Sequence, residues 1–341
     1  MRTGIENWLL GHWYSPQLPP WYLRIFEPLY RSAFKRARKR QLTRSSETAN
    51  KLPLIVVGNI TAGGSGKTPL VIRLCQLANE LGLKPGIAST GYGRQSRQTM
   101  QVYSDSNSND CGDEPVMLAQ RTGVPVVVAC HRIDAIKALN DLQLDLVISD
   151  DGLQHTNLGA DIEICVVDGQ RGLGNGHLIP AGPLREPLER LQVVDHVVSN
   201  GDWNARPDGI NVNVMRLIPL TVKSMDNSIA TSIDDFLEAY GQFSIHAVAG
   251  IGNPQRFFSM LQALGFNVQA HAFADHHRYT KDDFTSMKDG SIILMTEKDA
   301  VKCCSLGLEN AWYVEVEARL HDEFERILKL EIANLIEDRK T

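Results

Sequence analysis

The stretch "VGNITAGGSGKTPLV", residues 57–71, sets a lysine-threonine pair directly behind Gly63, Gly64 and Gly66, between two apolar segments. Val56 and Val57 read as the end of a strand, and the spacing beyond Lys67 predicts a helix. A glycine-rich turn in that place aims backbone N–H groups and the positive end of a helix at an anion. The lysine then reaches the outer phosphates of a nucleotide and the threonine hydroxyl reaches Mg²⁺. Thr61, Ala62, Gly63, Gly64, Ser65, Gly66, Lys67 and Thr68 are therefore the expected nucleotide-binding residues, with ATP and Mg²⁺ as cofactors. The strict motif has glycine where this chain has Thr61.

The remaining pattern agrees with such a loop. Near-continuous Val/Ile/Leu runs in "LPLIVVGNI", "KPGIAST", "VPVVVAC", "LDLVISDD", "DIEICVVD" and "VDHVVSN" read as buried strands, and helices are expected over 68–81, 114–121 and 131–140. This is the pattern of an α/β fold with a doubly wound, mostly parallel sheet like that of P-loop NTPases. Two segments break the rhythm, the polar stretch 95–110, read as a loop, and the Pro/Gly/Asn-rich connection 201–209. The expected organisation is an N-terminal region 1–44, a P-loop domain 45–208, a linker and smaller α/β domain 209–320, and a C-terminal helix within 321–341.

At 341 residues and 43% hydrophobic, the chain can bury one large core or two domains. A net charge of -5 argues against nucleic-acid binding as its main business. Six scattered cysteines without repeated C-x-x-C spacing favour a reducing compartment. No segment has the run of about 18 apolar residues that would span a bilayer.

The first 44 residues differ from the rest. They hold three of the five tryptophans, and Tyr22, Ile25, Phe26, Leu29, Tyr30, Ala33 and Phe34 recur at helical spacing before "RSAFKRARKRQLTR", a run with seven basic residues and no acid. An aromatic face leading into a cationic one suits a helix lying on an anionic membrane. A terminal helix packed on the body would show the same apolar period.

Asp150 and Asp151 end the apolar run of "LVISDDGLQH", at the sheet edge where doubly wound folds place ligands. They read either as turn aspartates ahead of Gly152 or as metal or substrate ligands. His276 and His277 also read as half of a zinc site, although no cysteine is nearby.

The motifs "VGNITAGGSGKTP", "GYG" at 91–93, "GDEP" at 112–115, "DDGLQH" at 150–155, "AGPLREP" at 181–187, "AGIGNPQRFF" at 249–258, "FADHHRY" at 273–279 and "MTEKDAVK" at 295–302 carry a resemblance. In order and span they resemble tetraacyldisaccharide 4'-kinase, the lipid A 4'-kinase family of Gram-negative bacteria. The resemblance implies phosphoryl transfer from ATP to the 4'-hydroxyl of an acylated glucosamine disaccharide 1-phosphate, forming lipid IVA. It also implies a peripheral protein on the cytoplasmic face of the inner membrane, with no obligate protein partner. Carried onto this chain, it gives Asp113 as base with His276 as its partner, alongside Lys67. Thr68, Glu114, Asp150, Asp151 and Glu186 are the expected metal-side residues, and Tyr92, Asp150, Asp151 and His155 the substrate-side ones. Thr90 stands where the family commonly has arginine, with Arg94 or Arg97 as substitutes, and Ala274 where it commonly has proline. The competing readings are a P-loop GTPase or ATPase switch at the membrane and a nucleotide-regulated scaffold. "TEKD" at 296–299 departs from the guanine-recognition pattern by placing Glu297 where lysine is required.

Overall fold

The computed structural model describes residues 2–44, 50–287 and 290–339. The expected boundary at 45 and the chain ends at 1 and 340–341 lie outside the described residues. Helices α1 (Arg2–Trp13), α2 (Trp21–Arg24) and α3 (Glu27–Arg44) open the chain. The helical period expected from Trp21 onward is interrupted at Ile25 and Phe26, because Pro28 lacks the N–H an interior position needs and instead occupies the first turn of α3.

The interruption splits the aromatic stripe. Trp21, Ile25, Phe26 and Leu29 are 72%, 56%, 53% and 65% exposed. Tyr30 turns inward, its hydroxyl donating to the Arg185 carbonyl at 2.9 Å. Trp13 is buried and donates from Nε1 to the Pro180 carbonyl at 2.9 Å, while Glu27 meets His177 at 2.8 Å. The N-terminal helices thus both pack on the body and keep an apolar face outward. No helix among the described residues is long and apolar enough to cross a membrane.

Next come β1 (Leu54–Gly58), α4 (Lys67–Glu80), β2 (Pro85–Ser89), β3 (Met100–Val102), α5 (Ser108–Cys111), α6 (Asp113–Thr122) and β4 (Val126–Val128). They are followed by α7 (Arg132–Asn140), β5 (Leu146–Asp150), β6 (Ile162–Asp168) and β7 (His196–Asn200). The segment read as a loop holds β3, which pairs antiparallel with β4 at the sheet edge, and the single turn α5, capped by the Asn107 side chain. Strand β1 is buried throughout, as a strand covered on both faces must be. It pairs in parallel with β5 on one side and β6 on the other, with Val57 level with Asp150. The chain moves away from β1 through α4 and crosses back from β5 to β6, so a crevice opens at the carboxyl ends of β1 and β5.

The second half comprises β8 (Val212–Ser224), β9 (Ala230–Ser232), α8 (Ile233–Tyr240), β10 (Ser244–Ala249), α9 (Pro254–Ala263) and β11 (Asn267–Ala272). It continues through β12 (Ile292–Thr296), α10 (Glu297–Cys303), β13 (Ala311–Leu320) and α11 (Asp322–Asp338). Strand β8 pairs in parallel with β7 and antiparallel with β13, so all strands join one 13-stranded sheet. Helix α11 returns to the first half, burying Phe324, Leu328, Ile332 and Ile336 beside α4. Arg73 clasps Glu325 there through two bonds of 2.8 and 2.7 Å.

Candidate active site

Between β1 and α4 the backbone turns through a cradle whose last residue, Gly66, has φ of 86°. A side chain is disfavoured at that angle, and a Cβ there would lie 2.2 Å from the Asn200 amide nitrogen. The cradle is held from three directions. Asn200 Nδ2 donates to the Ser65 carbonyl at 3.2 Å, Asn59 Nδ2 donates to the Gly63 carbonyl at 3.1 Å, and Ala62 N donates to the Pro183 carbonyl at 2.7 Å. Thr61 is buried and forms an antiparallel bridge with Leu184, away from the left-handed region. The glycine of the strict motif is therefore dispensable at this position. Gly63 and Gly64 stay exposed at the start of α4. Gly64 also lies against Gly252, where an added Cβ would meet Gly64 N at 2.2 Å, so the second half of the chain touches the cradle directly.

Lys67 and the β5 acids meet beside this turn. Lys67 Nζ is 3.3 Å from Asp151 Oδ1, and Arg185 Nη1 is 3.4 Å from Asp151 Oδ2. Burial opposes ionisation of Asp151, but Lys67, Arg185 and Arg132 overcome it and hold its pKa down at about 2. Asp150 goes the other way. It is fully enclosed, its Oδ1 has no hydrogen-bond partner, and burial with the charge of Glu114 pushes its pKa up to about 7 against the pull of Lys67. Thr68 lies in the first turn of α4. Partial burial of the imidazole and the neighbouring Arg132 lower the pKa of His155, whose residue as a whole is exposed. Glu186 is 1% exposed, accepts from Gln154 Nε2 at 2.8 Å and lies 3.4 Å from Arg190, so its carboxylate is already engaged. Among the described residues, no group of three or more His, Cys, Asp or Glu side chains is arranged to hold a metal ion. The orphaned oxygen of Asp150 beside Thr68's helix start fits Mg²⁺ nonetheless, since that ion takes most of its ligands from nucleotide phosphates and water.

A second cluster forms where α6 faces the loop between β11 and β12. Asp113 is the first residue of α6, and His276 lies in that loop with φ of 58°. His276 Nδ1 is 3.4 Å from Asp113 Oδ2, an oxygen with no hydrogen-bond partner. Burial alone would raise the Asp113 pKa; His276, Lys298 and Lys302 outweigh it and bring the value to about 2. Exposed Tyr92 covers the imidazole, with ring centroids 4.7 Å apart. His277 turns elsewhere, to Asp283 at 3.2 Å and the rings of Phe273 and Tyr279, so the adjacent histidines share no site. Glu114 accepts from Lys298 Nζ at 2.8 Å, and its charge also reaches Asp150, which links the two clusters electrostatically. Arg94, a candidate substitute for the arginine absent at Thr90, donates to the Gln98 carbonyl at 2.7 Å within its own loop.

A model of the family described as tetraacyldisaccharide-1-P 4'-kinase, LpxK, matches residues 19–333. The chain belongs to this family. The tetraacyldisaccharide 4'-kinase of Methylobacillus flagellatus is 46% identical over 329 residues, covering 94% of each chain. That of Pseudomonas fluorescens is 42% identical over 339 residues, covering 98% of this chain and 99% of the relative. The solved structure of LpxK from Aquifex aeolicus, described as an "apo" form in complex with ATP, matches with a TM-score of 0.73 at 29% identity. That match covers 91% of this chain and 97% of the other. The mostly parallel sheet with an additional C-terminal α/β region is the LpxK fold.

Several residues of these two clusters were not singled out from the sequence. Lys298 and Lys302 are four apart in "MTEKDAVK", which puts both on one face of α10 toward Asp113 and His276. That spacing was a readable signal. Arg185, inside the quoted "AGPLREP", was likewise within a readable motif, whereas Arg132, which donates to the Asp150 carbonyl at 2.8 Å, carried none, because only the crossing of α7 over the sheet edge brings it there.

Proposed function

We infer that this chain transfers the γ-phosphoryl group of ATP to the 4'-hydroxyl of a tetraacylated glucosamine disaccharide 1-phosphate, yielding ADP and lipid IVA. The observation that carries the reading is the approach of His276 to the unpartnered oxygen of Asp113, since neither a nucleotide switch nor a scaffold needs a base of this kind. The cradle 61–68 receives the phosphates, and Lys67 exchanges Asp151 for them. Thr68 and Asp150 would hold Mg²⁺, with Glu114, Asp151 and Glu186 setting the negative potential around it. When bound, that ion offsets the charge of the β- and γ-phosphates. Tyr92 and His155, with Asp150 and Asp151, line the path of the sugar. As the 4'-oxygen bonds to phosphorus, its proton passes to Asp113. The bond from phosphorus to the bridging oxygen breaks, and ADP leaves. Residues 45–208 and 209–320 act as two units that close over the acceptor and exclude water. Incubation with γ-labelled ATP and the lipid acceptor is expected to label the lipid. Label released only as inorganic phosphate identifies a hydrolase, and unconsumed ATP a scaffold.

The acceptor's acyl chains keep it in a membrane, so the kinase works at the anionic cytoplasmic face as a peripheral protein. The outward residues Trp21, Ile25, Phe26 and Leu29 supply the apolar contact, and the basic run of α3 the charge attraction. Changing Trp21 and Ile25 to aspartate together is expected to weaken binding to vesicles containing anionic lipid by roughly tenfold or more. Activity on detergent-dispersed acceptor should change far less. Equal losses in both assays, with the fold intact by circular dichroism, would assign these side chains to another role.

A further inference from the structure

We propose that Lys298 is a positioning residue that fixes the tautomer of His276 and so leaves Asp113 as the sole proton acceptor of the pair. The inference rests on the reading of Asp113 and His276 as the acid-base pair, and it deepens that reading. A lysine ammonium has three donors and no acceptor. Lys298 Nζ has three partners within reach, Glu114 Oε1 at 2.8 Å, Asp275 Oδ1 at 3.1 Å and His276 Nε2 at 3.4 Å. Facing a group that can only donate, Nε2 must present its lone pair.

The alternative partner for an Nε2 proton is Asp275 Oδ1, at 3.7 Å. That distance is beyond a hydrogen bond, and the same oxygen already accepts from His276 N at 3.0 Å and from Lys298. A neutral imidazole carries one N–H, which is thereby placed on Nδ1, 3.4 Å from Asp113 Oδ2. With that hydrogen in place, Nδ1 has no lone pair with which to relieve Asp113 of a proton. The imidazole turns that N–H toward the carboxylate and orients it, and the proton from the sugar hydroxyl rests on Asp113. This is the arrangement that distinguishes a holder of the base from a base.

Lys298 is rigidly placed for this task. It lies in the first turn of α10, where the Thr296 hydroxyl accepts from Asp299 N at 3.3 Å. The preceding residue, Glu297, pairs with Arg121 of α6 at 2.7 Å, a second tie between α10 and the helix that carries Asp113 and Glu114. One turn later Lys302 is committed to Asp299 at 2.7 Å and stands 3.9 Å from Asp113 Oδ2, a second positive charge on the same carboxylate. Lys298 therefore joins three parts of the chain at one atom: α6, the 275–276 loop and α10.

The test uses the full chain labelled with ¹⁵N-histidine, with His276 assigned by its loss in His276→Gln. Long-range ¹H–¹⁵N correlation of the wild type is expected to give the Nδ1–H pattern for His276. Lys298→Met should convert it to the Nε2–H pattern or an exchanging mixture. It should also lower kcat for lipid phosphorylation about tenfold or more, with KM for ATP changed much less. Lys298→Arg, which keeps the donors, should restore the wild-type pattern and most of kcat. An Nε2–H pattern in the wild type overturns the proposal without any variant, and so does an unchanged Nδ1–H pattern in folded Lys298→Met. Failure of the acid-base reading is separate, since it would appear as full turnover in His276→Ala whatever the tautomer.

Discussion

Replacing Lys67 by alanine is expected to lower kcat for lipid phosphorylation by roughly 10²- to 10³-fold, the usual scale for removing one charge-stabilising donor from a preorganised site. Lys67 opens α4, its side chain is mostly enclosed, and its nearest acid is Asp151 at 3.3 Å. The substitution leaves Asp151 with Arg185 at 3.4 Å and the charge of Arg132, so that acid is not stranded. The stability cost should therefore stay within about 1 kcal/mol, as for other partly exposed ion pairs. The sign of the pH effect follows from the same residues. The depressed Asp151 pKa contributes stability that is present above the ordinary carboxylate range and lost as pH falls toward about 2. Without Lys67 the folded-state pKa lies closer to the unfolded one, so the loss is smaller and is complete at higher pH. Thermal unfolding at neutral and acid pH, set beside single-turnover phosphorylation, separates the two effects. Near-wild-type turnover in a folded Lys67→Ala protein would remove the cradle from the mechanism.

The cradle was legible because its chemistry is local. Glycine, lysine and threonine at fixed spacing between a strand and a helix specify both the turn and its ligand, and β1, α4 and β5 follow from unbroken or periodic apolar runs. Asp113 and His276 were readable only through motifs shared with a known family. Their juxtaposition depends on the antiparallel pairing of β8 with β13, which folds the second half back so that the 275–276 loop faces α6. A strand's alternation reports which face is buried and not which strand lies beside it, so that contact has no sequence signature. For the same reason one sheet runs through both expected units, although the composition shift at 201–209 suggested a break. In the N-terminal region helical period predicted an apolar stripe but not its division. Pro28 restarts the helix and rotates Tyr30 onto Arg185 while Trp21 and Ile25 remain outside.

Asp113→Ala and His276→Ala should each lower kcat by roughly 10²-fold or more, with smaller changes in KM for ATP. The double variant should be little worse than the poorer single one. The reason is that His276 reaches the chemistry through one atom, Nδ1, aimed at an oxygen of Asp113 that nothing else satisfies. A carboxylate held near a pKa of about 2 is ionised at all working pH values but is too weak to strip a sugar hydroxyl beforehand. The proton must therefore move late, once the bond to phosphorus has made that hydroxyl acidic, and correct placement of the acceptor oxygen matters more than its basicity. Removing His276 takes away the N–H that faces the carboxylate at 3.4 Å, leaving burial opposed by Lys298 and Lys302 alone. The Asp113 pKa then rises toward the ordinary carboxylate range, and the acid-side fall in kcat moves to higher pH than in the wild type. Single-turnover phosphorylation by all three variants across the acid range measures both effects. Fully additive losses, or an acid limb that His276→Ala does not move, would place the imidazole on the substrate itself and leave Asp113 to act without it.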